Sequence, residues 1–186
     1  AEQLITAEIK QVEQAKQLEN PDAVVTLERM DEGVLLDIIA DSFQGLKSGD
    51  DNRLRRVFWE RQDNDKRWRR LQSTVTVTSP TGGLESIVDW QDDGKLMARR
   101  QGIGAWRRTG VAVSQMSTLP CALYFGDAFD SNVCPIIPKA PSHLPAIWTF
   151  CESGKYQEAI RIIDQKVAVA NATLIKVPFD IQYWEK

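Results

Sequence analysis

The sequence predicts an α+β protein: an N-terminal helical hairpin, a central mixed β-rich sheet, two short C-terminal helices and a closing strand. Three observations predict it. Apolar residues recur near a 3.6-residue period at the start and again after Ser142, and the period drops to two in between. Six Trp, six Phe and 42% hydrophobic content give a chain of 186 residues enough apolar side chains for a core. The length suits one domain with a small appendage, so the expected division is an amphipathic helical arm or linker over 1–43 and a folded domain over 44–186.

Residues 2–19 place Leu4, Ile5, Ile9, Val12 and Ala15 on one helical face, and Asn20-Pro21 ends that helix. Residues 23–40 repeat the pattern with Val24, Val25, Leu27, Met30, Val34, Leu35, Ile38 and Ile39, which makes a hairpin at the proline. A loop with Gly45 and Gly49 then leads into a short Arg-rich segment ending at Trp59. From residue 71, Val75 and Val77 alternate with Thr74, Thr76 and Thr78 in an expected strand stopped by Ser79-Pro80-Thr81-Gly82-Gly83. Further strands are expected over 84–90, 95–100, 111–116, 121–125 and 132–137, with Asp92-Asp93-Gly94 as a hairpin turn. Ser142 caps a helix bearing Leu144, Ile147, Trp148 and Cys151, and Gly154 precedes a second bearing Tyr156, Ala159, Ile160 and Ile163. Thr173 to Val177, ended by Pro178, reads as the closing strand.

The formal net charge of −3 conceals a segregated layout. Residues 1–52 hold 4 basic and 12 acidic side chains, residues 53–108 hold 13 basic and 7 acidic, and residues 109–186 hold 6 and 7. Eleven of the thirteen middle cations are arginine, whose planar donor fork fits phosphate oxygens and the guanine edge. Trp59, Trp68, Trp90 and Trp106 are interleaved with them. The layout points to a polyanion; the plainer reading is a solvated face that pairs with the acidic first third.

No window approaches the roughly 18 uninterrupted apolar residues of a membrane span. Three cysteines, Cys121, Cys134 and Cys151, form no CxxC pair, which suits a reducing cytosol. The amino terminus has neither a secretory pattern nor a starting Met, so the chain is expected to be cut from something larger.

Patterns suggesting catalysis are incomplete. Gly102-Ile103-Gly104 begins like a nucleotide loop, but Arg107 stands where the third glycine belongs. Asp89, Asp93 and Lys95 resemble part of a magnesium nuclease centre, and the turn reading accounts for Asp-Asp-Gly equally well. His143 is the only histidine and lies at an expected helix start, while Cys121 and Cys134 fall in apolar runs, so no zinc set of usual spacing exists. The expectation is a chain that is not itself an enzyme and holds no cofactor or metal.

From Gly110 to Trp184 the sequence resembles the carboxy-terminal part of large bacterial adenine-N6 DNA methyltransferases of restriction-modification and phage-exclusion systems, including fused type IIG enzymes. The resemblance is carried by Val111-Ala112-Val113-Ser114-Gln115-Met116, Leu119-Pro120, Leu123-Tyr124, Phe129-Asp130-Ser131-Asn132 and Leu144-Pro145-Ala146-Ile147-Trp148-Thr149-Phe150-Cys151. It continues through Ile163-Asp164-Gln165-Lys166 and the run Asn171 to Phe179. Upstream, Gln44 to Arg53 followed by Phe58-Trp59-Glu60 looks like the family's segment leading from catalytic domain to target-recognition region, with Lys47-Ser48 departing from the usual pair. The family's Asn-Pro-Pro-Tyr-type motif and glycine-rich S-adenosylmethionine loop are absent from the sequence. The resemblance implies a target-recognition domain over 44–186. It would bind double-stranded DNA and position it for a methyltransferase domain that uses S-adenosylmethionine. The expected contacts are Arg53, Arg55, Arg56, Lys66, Arg67, Arg69, Arg70, Lys95, Arg99, Arg100, Arg107 and Arg108. A rival of another class is a docking module that uses the acidic helices and basic middle.

Overall fold

The run Gly110–Ser114 is apolar apart from Ser114, and all five residues are buried in the computed structural model, which describes residues 12–18, 20, 25–26, 33–60 and 66–186. The chain is α+β. Its strands are β1 (Ala40–Ser42), β2 (Arg55–Val57), β3 (Trp68–Gln72), β4 (Ser86–Asp89), β5 (Gly110–Ser114), β6 (Cys121–Tyr124), β7 (Ala128–Phe129) and β8 (Val133–Pro138). Its helical segments are α1 (Gln14–Gln17), α2 (Asp51–Leu54), α3 (Gln91–Gly94), α4 (Leu144–Glu152), α5 (Lys155–Ile163) and α6 (Ile181–Trp184).

Two four-stranded sheets result, one ordered β1-β8-β5-β6 and the other β2-β4-β3-β7. The larger sheet is antiparallel throughout, with Val111 opposite Leu123 and Ile136, and Val113 opposite Cys121 and Cys134. That register puts Val111, Val113 and Ile136 on one face, where Ile147, Phe150, Tyr156 and Ile160 of α4 and α5 cover them. Tyr156 is fully buried and its hydroxyl donates to the Leu174 carbonyl at 2.9 Å. The opposite face carries Ala112 and Tyr124 against Ala105 and Phe129.

The smaller sheet is mixed, because β7 runs parallel to β3 with Leu71 opposite Ala128 and Gln72 opposite Phe129. Its inner face presents Leu71 and Val88 to Leu46, Leu54, Trp90 and Met97. Phe129 belongs to the core under the larger sheet, so β7 joins the two.

Several expectations change. Most of the hairpin over 2–19 and 23–40 lies outside the described residues. Within the described part, residues 33–40 are not a helix: Leu35 is extended and bridges Pro178, Leu36–Ile38 form a 3-10 turn, and β1 follows. The buried residues here are Leu36 and Ala40, while Val34 and Ile38 of the expected helical face are exposed, because the segment's backbone partner is the distant 177–179 stretch, which no helical period encodes. Residues 36–43, placed in the arm by the sequence, are therefore woven into the larger sheet's edge.

The strand expected from residue 71 through Thr78 lies earlier, at Trp68–Gln72. Beyond it, Ser114 Oγ accepts from the Val75 amide at 2.9 Å and donates to its carbonyl at 3.3 Å, a side-chain brace in place of a ladder. No strand spans 95–100, where a single bridge pairs Lys47 with Arg99. Asp92-Asp93-Gly94 winds left-handed, with φ of 51°, 56° and 69°, as a hairpin turn would, but joins no hairpin, because β4 pairs with β2 and β3 and no strand follows over 95–100. The closing strand is instead a 3-10 turn at Thr173–Ile175.

Candidate nucleic-acid interface

The first arginine cluster sits on β2 and β3, which flank apolar β4. Register places Arg55 and Arg69 on either side of Val88, and Arg56 and Arg70 on either side of Ile87. Two strand spacings, roughly 9.5 Å, separate each pair. Alternation sends Arg55 and Arg69 to the face shared with Leu71, and sends Trp68, Arg56 and Arg70 to the face shared with Asp89.

On the first face Arg55 is drawn inward. Its guanidinium donates to Ser73 Oγ at 2.5 Å and Ser86 Oγ at 2.9 Å, and lies 3.5 Å from Asp130 Oδ2. Asp130 also accepts from Ser73 Oγ and from the Asn132 amide, both at 2.9 Å. This network ties the smaller sheet to the β7–β8 turn, so Arg55 is a structural cation. Beside it opens a cleft of about 470 Å³ lined by Lys47, Ser48, Asp51, Arg55, Asp130 and Asn132. Arg69, on the same face, stays exposed and lies over two indoles, 5.7 Å from Trp90 and 5.3 Å from Trp106.

On the other face the guanidinium carbons of Arg56 and Arg67 lie 6.0 and 5.4 Å from the Trp68 ring. Arg56 also donates to the carbonyls of Asn52 and Arg55. Arg67 donates to Asp89 Oδ2 at 2.6 and 2.9 Å, and Asp89 Oδ1 accepts from the Gln91 amide at 3.0 Å. The Asp89 side chain is wholly buried, and hydrogen bonding from Arg67 holds its carboxyl below the usual range against the opposing effect of burial. Asp127 shows the reverse balance: burial pushes its carboxyl up, and the charge of Arg70 only partly offsets that.

The second cluster is less regular. Arg99 exchanges two backbone hydrogen bonds with Lys47, both 3.0 Å. Arg100 donates to the Asp93 carbonyl at 3.2 Å, and Arg108, half-buried over Phe43, donates to the Pro138 carbonyl at 3.3 Å. Arg107 adopts φ of 62° and is exposed.

The twelve expected contacts thus divide. Among the described residues, the exposed side chains of Arg53, Lys66, Arg70, Lys95, Arg99 and Arg107 have no hydrogen bond or ion pair, and Arg69 contacts only its indoles. Arg55, Arg67 and Arg108 are engaged within the fold, and Arg56 and Arg100 are partly engaged through carbonyls. The sequence reading missed Lys47, an exposed cation that only the bridge to Arg99 reveals as part of the cluster. It also missed Asp130 as the anchor of Arg55. At the end of β2, Phe58 and Trp59 are 55% and 65% exposed with ring centroids 5.1 Å apart.

The residues suggestive of catalysis do not assemble. Asp89 is engaged by Arg67 and Gln91, and among the described residues no group of three His, Cys, Asp or Glu side chains is placed to hold a metal ion. Gly102, at φ of 78°, fits a tight turn where a Cβ would lie 2.3 Å from the Phe129 ring. Cys121, Cys134 and Cys151 are buried free thiols, and burial pushes Cys134 up to about 12. Among the described residues no helix is long and apolar enough to cross a membrane. No known protein family and no curated protein matches the chain.

Proposed function

We propose that this chain is a DNA-sequence recognition domain that grips duplex DNA and positions it for an adenine-N6 methyltransferase domain of a restriction-modification system. The observation that carries the reading is the set of exposed cations, Arg53, Lys66, Arg70, Lys95, Arg99 and Arg107, whose side chains have no hydrogen bond or ion pair among the described residues, beside the sheet that Arg55 and Arg67 tie together. Exposed cations without an ion-pair partner are what phosphates require, and Arg70 among them is held in register by β3. The sequence resemblance supplies the methyltransferase partner and, through it, S-adenosylmethionine for the parent enzyme.

The test is binding of random duplex by the whole chain across a salt series. Neutralising about five phosphates gives a log–log slope near −4.5. A flat response, or no binding at low salt, removes the reading.

A second reading, a protein-docking module, draws on a different feature. A groove of about 690 Å³ beside α5 and α6 is lined by exposed Val34 and Tyr183 and partly buried Ile181, together with Lys155, Glu158 and Asp180. Capture of a methyltransferase domain without any affinity for duplex would favour it.

A further inference from the structure

Phosphate binding and base reading ask different things of an arginine. A phosphate presents charge in many directions and accepts a mobile side chain, whereas a base edge is planar and must be met by a fork held in one place. The arginines of this surface can be sorted by that criterion. Arg55 and Arg67 are fixed but neutralised by Asp130 and Asp89. Among the described residues no hydrogen bond, ion pair or aromatic ring restrains the side chains of Arg53, Arg70, Arg99 and Arg107. Arg56, Arg100 and Arg108 are restrained without a carboxylate, but each spends guanidinium donors on backbone carbonyls. Among the described residues Arg69 is restrained by rings alone, with no carboxylate and no carbonyl on its donors.

Its restraint is built in three layers. The backbone of Arg69 is pinned in β3 opposite Val88. Its guanidinium carbon lies 5.7 Å from the Trp90 ring and 5.3 Å from the Trp106 ring, and the two indoles meet at 65° with centroids 4.8 Å apart. The indoles are themselves fixed. Trp90 is 7% exposed, its amide donates to the Arg67 carbonyl at 2.7 Å, and Trp106 packs into the cores under both sheets. The left-handed turn of α3 closes over Trp90 so tightly that a Cβ on Gly94 would lie 2.7 Å from the ring. Aromatic faces balance the guanidinium charge without using its in-plane N–H donors, which remain available.

We propose that Arg69 is a guanine-reading fork, held by Trp90 and Trp106 so that its N–H donors meet the O6 and N7 acceptors of one guanine in the major groove. The proposal rests on the DNA-binding reading and adds to it a residue, a base and a groove. Trp90, Trp106 and Gly94 are positioning residues that act through Arg69.

The test selects bound sequences from a random duplex pool with the whole chain, wild type and variants. Wild type enriches a motif containing an obligatory guanine. Replacing that guanine by 7-deazaguanine, which lacks the N7 acceptor and keeps O6, weakens wild-type binding by roughly 2- to 12-fold, the share of one of the two hydrogen bonds in a bidentate base contact. Arg69→Ala and Arg69→Lys lose the preference at that position alone and become indifferent to 7-deazaguanine. Arg69→Lys keeps the salt slope of wild type. Gly94→Ala, which displaces Trp90 and leaves every charge in place, weakens the guanine preference in the same way. Arg69→Lys guards against misfolding of the alanine variant, and thermal melting confirms that each variant is folded. An unchanged motif in folded Arg69→Lys overturns the proposal. So does a uniform loss of affinity in Arg69→Ala with the slope reduced by about 0.9, the mark of a phosphate contact. A wild-type chain that binds no duplex fails the underlying reading instead.

Discussion

In the larger sheet, Val111, Val113 and Ile136 face α4 and α5 through a core that holds, among the described residues, eighteen buried apolar side chains; in the smaller sheet, Leu71 and Val88 face a core of seven among the same residues. Around those seven the strands are tied by polar side chains: Arg55 to Ser73, Ser86 and Asp130, and Arg67 to Asp89. Apolar burial is non-directional and contributes in proportion to area, whereas hydrogen bonds fix direction and contribute less net stability. The larger sheet therefore serves as the stable support, and the smaller one trades stability for the exact placement of charged side chains.

The largest expected effect strikes the support. Phe150 stacks on Tyr156, Phe179 and Trp184, and Phe150→Ala should destabilise by about 3–5 kcal/mol in urea unfolding. A much smaller loss would place the main stability elsewhere. Next is Asp130→Ala, which leaves half-buried Arg55 with only the more exposed carboxylate of Asp51, 4.0 Å away, and should cost about 2 kcal/mol, discounted for the partial exposure of Arg55. Amide exchange should then quicken in β2–β4 and stay slow in β5 and β8. Equal quickening in both sheets would erase the contrast drawn above.

The third test uses pH. The folded Asp89 carboxyl titrates below its unfolded value, so its contribution to stability is complete above the unfolded pKa and is lost as pH falls through the lowered folded one. Arg67→Ala should therefore flatten the acid limb of the stability–pH curve, and an unchanged limb would show that the pair is not coupled to folding. The smallest effects on stability belong to the unengaged cations. Arg70→Ala and Arg99→Ala should each shift stability by less than about 0.5 kcal/mol, yet make the salt slope of duplex binding about 0.9 less steep where the side chain meets a phosphate.

The same contrast explains what was legible in the sequence. β5, β6, β8, α4 and α5 are long apolar signals whose partners are equally apolar, so period and composition found them. The Val–Thr alternation after residue 72 was misread because Ser114 supplies a brace where a strand would have been, and no local pattern encodes a hydroxyl from a distant strand. Thr173 to Val177 was misread because a short apolar run fits a buried 3-10 turn as well as a strand. At the candidate interface, clustering and arginine bias marked the surface, but sorting Arg55 and Arg67 from Arg69 and Arg70 required the positions of Asp130, Asp89 and the indoles.

The two-residue strand β7 decides when the charged surface can exist. It closes the smaller sheet by pairing Leu71 with Ala128, and the turn after it carries Asp130, the anion of Arg55. All twelve cations named from the sequence precede it. A nascent chain emerging up to Phe125 would display every one of them on an unfinished platform. Such distant pairing makes the closure a slow, late event in folding, so the charged surface should take its final shape after the β5–β6 hairpin of the larger sheet has formed.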